Sequence, residues 1–153
     1  MFTNFEIMSN QLHDVVRFYF PADGITLKGR NRLKEYLLAL LKKEGKSVAF
    51  VNYVFCSDQY LLEINRNYLN HDYYTDIITF DLSDKKGALK AEIYISIDRI
   101  RENARKLGVS LKSELHRVIF HGSLHLCGYD DKTAKQQTAI RLKEDLHLKK
   151  YNP

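Results

Sequence analysis

The sequence predicts a single α/β (α+β) domain: a mixed sheet of about four strands with helices packed on it. Three observations carry this. Short runs rich in β-branched and aromatic residues alternate with segments of helical periodicity. Capping residues stand at the ends of the helical segments. No Pro/Ser-rich linker, repeat or low-complexity tract divides the 153 residues, whose two prolines are Pro21 and the terminal Pro153. One domain over residues 1–153 follows.

Taken in order, Met1 to Ile7 alternates weakly and reads as an edge strand. Val15 to Phe20 is apolar and aromatic and reads as a short strand. Gly29 to Glu44 predicts a helix. Leu33, Tyr36, Leu37, Leu40 and Leu41 share one face, Arg30, Arg32, Lys34, Lys42 and Lys43 the other, and Gly45 can close the end. Val48 to Phe55 is a nearly unbroken apolar run and predicts a strand buried on both faces. Ser57 or Asp58 can cap a helix running to about Tyr68. Asp76 to Leu82 and Ala91 to Ile97 alternate as strands, joined through a turn at Lys85-Lys86-Gly87. Asp98 to Leu107 is a helix stopped by Gly108. Ser110 caps a longer helix to Cys127, ended by Gly128. Thr133 and Gln136 match a capping box that opens a final helix to about His147.

Composition narrows the function classes. Nowhere do about 18 apolar residues run without a charge, so no transmembrane helix is expected. The N-terminus lacks a basic and apolar secretory pattern, so the expected location is the cytoplasm. Two cysteines, Cys56 and Cys127, make no disulfide scaffold and read as small core residues. The charge of +5 and the pI near 9.1 favour a polyanionic partner such as nucleic acid, although many basic proteins bind none. No Walker or dinucleotide glycine pattern is present, so no nucleotide cofactor is expected.

The segment with chemistry is His121-Gly122-Ser123-Leu124-His125-Leu126-Cys127-Gly128-Tyr129-Asp130-Asp131. Four residues apart on a helix, His121 and His125 lie on one face, one turn apart. Gly128 allows the chain to turn sharply, and that turn can bring Asp131 toward the same point. Two imidazoles and a carboxylate suit Zn²⁺, one per chain, with a fourth position open to water. Such a site can lower the pKa of water to about 7. A plainer reading stands beside it. Histidines at this spacing are common on helix surfaces, and Asp130 and Asp131 could be the solvated cap of the last helix. The spacing also matches the long zinc-protease pattern, except that the glutamate expected after the first histidine is Gly122, which cannot take a proton from water.

The same segment resembles the signature of the YbeY family of zinc-dependent endoribonucleases of ribosomal RNA maturation, His-Gly-x-Leu-His-Leu-x-Gly-Tyr-Asp-His. It matches every fixed position except the last, where Asp131 stands for histidine. Thr75-Asp76-Ile77-Ile78-Thr79-Phe80 and Ala91-Glu92-Ile93-Tyr94-Ile95-Ser96 are similar to two strands of that family, and Asn65 and Tyr68 fit the helix between. The resemblance covers roughly Val48 to Leu146. It implies a zincin-like fold, with His121, His125 and Asp131 as zinc ligands. It also implies single-strand-specific cleavage in 16S rRNA 3′-end maturation and ribosome quality control. The implied partners are ribosomal RNA and the small ribosomal subunit or its proteins. Where the family carries an arginine for RNA cleavage, this chain has Leu69. Arg66, three residues earlier, could substitute, or could be an ordinary exposed charge.

Cleaving a phosphodiester requires stabilising developing negative charge, so cations near the motif matter. Arg66, Arg117, Lys132 and Lys135 are the candidates, each of which also reads as a surface charge. Asp130 is the candidate general base. Tyr73 and Tyr74 are expected to be an exposed pair able to stack on bases. His116 turns about 140° away from His121 and reads as packing. His13, His71 and His147 have no partner at ligand spacing. Two other functions remain open: a non-catalytic zinc-stabilised ribosome-assembly factor, and a zinc hydrolase of another bond such as a peptide.

Overall fold

The computed structural model describes residues 14–153. The strand expected at Met1 to Ile7, and His13, lie outside the described residues. The chain runs β1 (Val16–Tyr19), α1 (Arg30–Lys43), β2 (Val48–Cys56), α2 (Asp58–Leu69), β3 (Ile77–Asp81), β4 (Leu89–Ser96), α3 (Ile97–Leu107), α4 (Leu111–Leu126) and α5 (Ala134–Tyr151). Among the described residues the sheet order is β1-β2-β4-β3. β1 and β4 both run parallel to β2, while β3 is antiparallel to β4. The result is the expected mixed α/β fold.

The core follows from period-two burial. β4 buries Leu89, Ala91, Ile93 and Ile95, and β2 buries Val51, Tyr53 and Phe55 beside them in register. That face packs against Leu33, Leu37 and Leu41 of α1 and Leu115, Ile119 and Leu124 of α4 in one cluster. Each leucine, isoleucine, valine or phenylalanine among them, removed from water, contributes about 1.5–3 kcal/mol. The second face of β2 is not fully buried: Phe50, Asn52 and Val54 are only partly covered. On this side Leu61 and Ile64 of α2 meet Cys56 and Ile78 in a smaller cluster. An apolar run marks a central strand here, not one sealed on both faces.

The caps act as the residue types dictate. Ser57, not Asp58, caps α2, accepting from the Tyr60 amide at 3.1 Å. The Asp58 carboxylate is taken by Arg99 at 3.0 Å. The capping box of Thr133 and Gln136 is formed. α5 runs past His147 to Tyr151 because that ring is buried, 5.2 Å from Tyr36 and 5.1 Å from His116. Among the described residues, no helix is long and apolar enough to cross a membrane.

Candidate metal centre and its cleft

α4 is seated by close approach. A Cβ at Gly122 would meet Ile77 Cδ1 at 2.8 Å and Ile93 Cγ2 at 3.0 Å, so only glycine lets the helix sit this near β3 and β4. That is the physical reason for glycine where a zinc protease carries its glutamate. One residue on, Ser123 Oγ donates to Ile119 O at 2.7 Å and accepts from the fully buried Tyr53 hydroxyl, also at 2.7 Å. Burial pushes that phenol well above its ordinary range, so it stays a neutral donor. The helix is thus pinned to β2, and His121 and His125 are carried to the edge of the core, neither buried nor free.

The chain then turns back. Gly128 takes a left-handed φ of 95°. The Tyr129 amide donates to Leu124 O at 3.1 Å and the Gly128 amide to His125 O at 3.0 Å, the paired bonds of a glycine helix terminus. The Tyr129 hydroxyl reaches Glu44 at 3.3 Å and ties the turn to the end of α1. Gln137 Nε2 donates to Asp131 O at 3.0 Å. The capping box fixes residues 132–136. Between these anchors, the Asp131 side chain faces the histidines.

His121 Nε2 and His125 Nε2 are 2.9 Å apart, and Asp131 Oδ2 lies 3.4 Å from the first and 3.5 Å from the second. A tetrahedral ion with bonds of about 2.0–2.1 Å holds its donors about 3.3 Å apart. The three atoms therefore fit as three corners of such a site, and the group could hold a metal ion. The opposite ring nitrogen, His121 Nδ1, lies 3.4 Å from Glu144 Oε2. A carboxylate there accepts the Nδ1 proton and leaves a lone pair on Nε2. Glu144 is itself buried and paired with Arg117 at 3.6 Å.

These donors lie in a cleft of about 580 Å³, lined also by Asn65, Leu69, His71, Tyr73, Asp76 and Lys132. A second cavity of about 360 Å³ shares Asp76, His121 and Asp131 with it and holds Glu114, Arg117 and Glu144. Burial raises the Asp76 carboxyl above its ordinary value, against the pull of His121. For His121, burial lowers the imidazole, but Glu144, Asp131 and Asp76 outweigh it, and the net shift is upward.

The other expected residues are dispersed. Arg66 is ion-paired with Asp72 and does not line the cleft. Asp130 is exposed and does not line it either, although its neighbours Asp131 and Lys132 do. Arg117 is held by Asp145 at 2.9 Å as well as by Glu144. Lys135 is exposed and away from the cleft wall. Tyr73 and Tyr74 are both exposed, but only Tyr73 lines the cleft. His116 is buried packing, as read. His147 Nδ1 and the Tyr36 hydroxyl share a hydrogen bond of 2.7 Å. Cys127 packs against the core. Three residues escaped the reading of the site: Glu144, Asp76 and His71. Glu144 carried a signal, since it follows Ile140 by four and continues a buried stripe with a charge.

The chain is similar to proteins of one family. Residues 24–152 match the family described as Endoribonuclease YbeY. A protein of that name from Cytophaga hutchinsonii is 50% identical over 132 residues, covering 86% of this chain and 92% of the relative. Another, from Porphyromonas gingivalis strain W83, is 41% identical over 136 residues, covering 88% and 89%. The solution structure of TM1509 from Thermotoga maritima superposes with a TM-score of 0.61 at 30% identity, covering 89% of this chain and 88% of that one. With matches that span both the sheet and the histidine helix, the chain belongs to the endoribonuclease YbeY family.

Proposed function

We propose that this protein is a single-strand-specific, zinc-dependent endoribonuclease of the cytoplasm, acting on small-subunit ribosomal RNA in 16S rRNA 3′-end maturation and in ribosome quality control. The observation that carries the reading is the convergence of His121, His125 and Asp131 in an open cleft. The family and the names of the relatives support RNA as the substrate. Two imidazoles and one carboxylate are a donor set suited to zinc. Bound there, zinc would supply a Lewis acid for a phosphoryl oxygen and a water acidified toward neutral pH.

The chain's own residues then divide the work. Glu144 orients His121 through Nδ1. Lys132 on the cleft wall meets the phosphate charge. Arg66 lies between the cleft-lining Asn65 and Leu69 and adds a second cation when an RNA phosphate replaces Asp72. Proton acceptance falls to Asp76, on the cleft wall, in preference to the exposed Asp130.

The test is cleavage of a single-stranded RNA by untagged protein, beside a duplex control. His121→Ala, in a protein that still folds, is expected to cut cleavage by more than about 100-fold, the loss of several kcal/mol of charge stabilisation. Unchanged cleavage by the variant would overturn the reading. Leu69 on the cleft wall, where the family pattern has arginine, favours one alternative, a non-catalytic ribosome-assembly factor. That alternative predicts salt-sensitive RNA binding with no cleavage that depends on His121.

A further inference from the structure

We propose that the His71/Tyr73 ring pair is a nucleobase-stacking subsite, which takes an unpaired base of single-stranded RNA beside the metal centre. It rests on the reading above that RNA enters this cleft. The two rings are stacked, with centroids 5.2 Å apart and planes 21° from parallel. The Tyr73 hydroxyl and His71 Nδ1 are 3.0 Å apart. Both side chains are exposed, Tyr73 at 56%, and both line the cleft that holds His121, His125 and Asp131.

Exposed aromatic rings are ordinary on a surface. What sets this pair apart is how its backbone is held. Asn65, buried to 1% exposure, donates from Nδ2 to Tyr73 O at 2.9 Å and accepts the His71 amide on its own carbonyl at 3.1 Å. One buried residue of α2 therefore clamps the loop at both ring-bearing positions. Asn70 makes the turn between them and α2 with a left-handed φ of 54°. A platform fixed in advance loses little freedom when a flat ligand lands on it. Tyr74, by contrast, is engaged by the Arg99 guanidinium at 5.0 Å and does not line the cleft.

Every base offers a π-face, so such a platform is indifferent to sequence but requires the base to be free of its own helix. It would select unpaired RNA without reading base edges. Lys132, on the wall of the same cleft, can meet the backbone of the bound strand.

The test uses the full chain as purified and a short single-stranded RNA with one 2-aminopurine. Fluorescence is read within seconds of mixing, before cleavage accumulates. Stacking quenches that base. Quenching is expected with the unmodified protein and with Tyr73→Phe. Tyr73→Ala should abolish it and weaken binding by about 5- to 100-fold, with the melting curve unchanged. The same base inside a hairpin stem should give no quench. If Tyr73→Ala and the His71→Ala/Tyr73→Ala pair bind and quench like the unmodified protein, this subsite is wrong and the RNA reading stands. If the unmodified protein binds no single-stranded RNA, both fall.

Discussion

Burial alone would push the His121 imidazole down, yet Glu144, Asp131 and Asp76 reverse the direction. The ring is held by carboxylates on two sides: Asp131 on Nε2, where a metal would sit, and Glu144 on Nδ1 behind it. Removing the rear charge while keeping the shape isolates its contribution. Glu144→Gln is expected to weaken metal binding by about 10- to 100-fold, measured by competition with a chelator, with little change in circular dichroism. Equal metal affinity would show that Glu144 serves only Arg117. The histidine pair was legible in the sequence because helical spacing alone puts two rings on one face. Asp131 was legible because Gly128 announces the turn. Glu144 showed only its place on the stripe with Ile140; which ring it meets, 23 residues away, is encoded in no local pattern.

Elements were read well wherever a local device ends them. Ser57, Ser110 and Thr133 each accept a backbone amide at the start of their helices. Two features needed tertiary context. α5 continues to Tyr151 because a buried ring cluster, not a stop signal, sets its end. The second face of β2 is half-covered, with Phe50, Asn52 and Val54 only partly buried, which depends on what packs there and not on the strand's own sequence. The seat of α4 is a tight contact. Gly122→Ala is expected to cost about 1–3 kcal/mol in urea denaturation, because the new methyl meets Ile77 and Ile93. Adding Ile77→Val, which removes the Cδ1 atom 2.8 Å away, should recover part of that loss. A neutral Gly122→Ala would mean that helix and sheet are not in this close contact.

Across the whole molecule, the fold class was legible but the strand order was not. Alternation says which face a strand buries and nothing about which strand it pairs with, so the antiparallel β3 at the edge of β4 came only from the structure. The core carries a pH liability at its far end. Burial lowers His116 from 6.5 to about 4, while Asn152 Nδ2 lies 3.0 Å from its Nδ1. Between those values the unfolded chain binds the proton more readily than the folded one. Stability from this ring is therefore intact above pH 6.5 and falls as pH drops toward about 4, by about 3 kcal/mol in all. His116→Phe should flatten the urea-midpoint profile across that window by the corresponding amount. An unchanged slope would mean that the ring is not held neutral.

The decisive quantity is metal per chain. Untagged protein, incubated with zinc and dialysed, should carry about one zinc by elemental analysis, since one group of donors converges among the described residues. The His121→Ala/His125→Ala double variant, prepared identically and still folded, should carry none. No zinc in either protein, or equal zinc in both, would contradict a metal centre built from His121, His125 and Asp131.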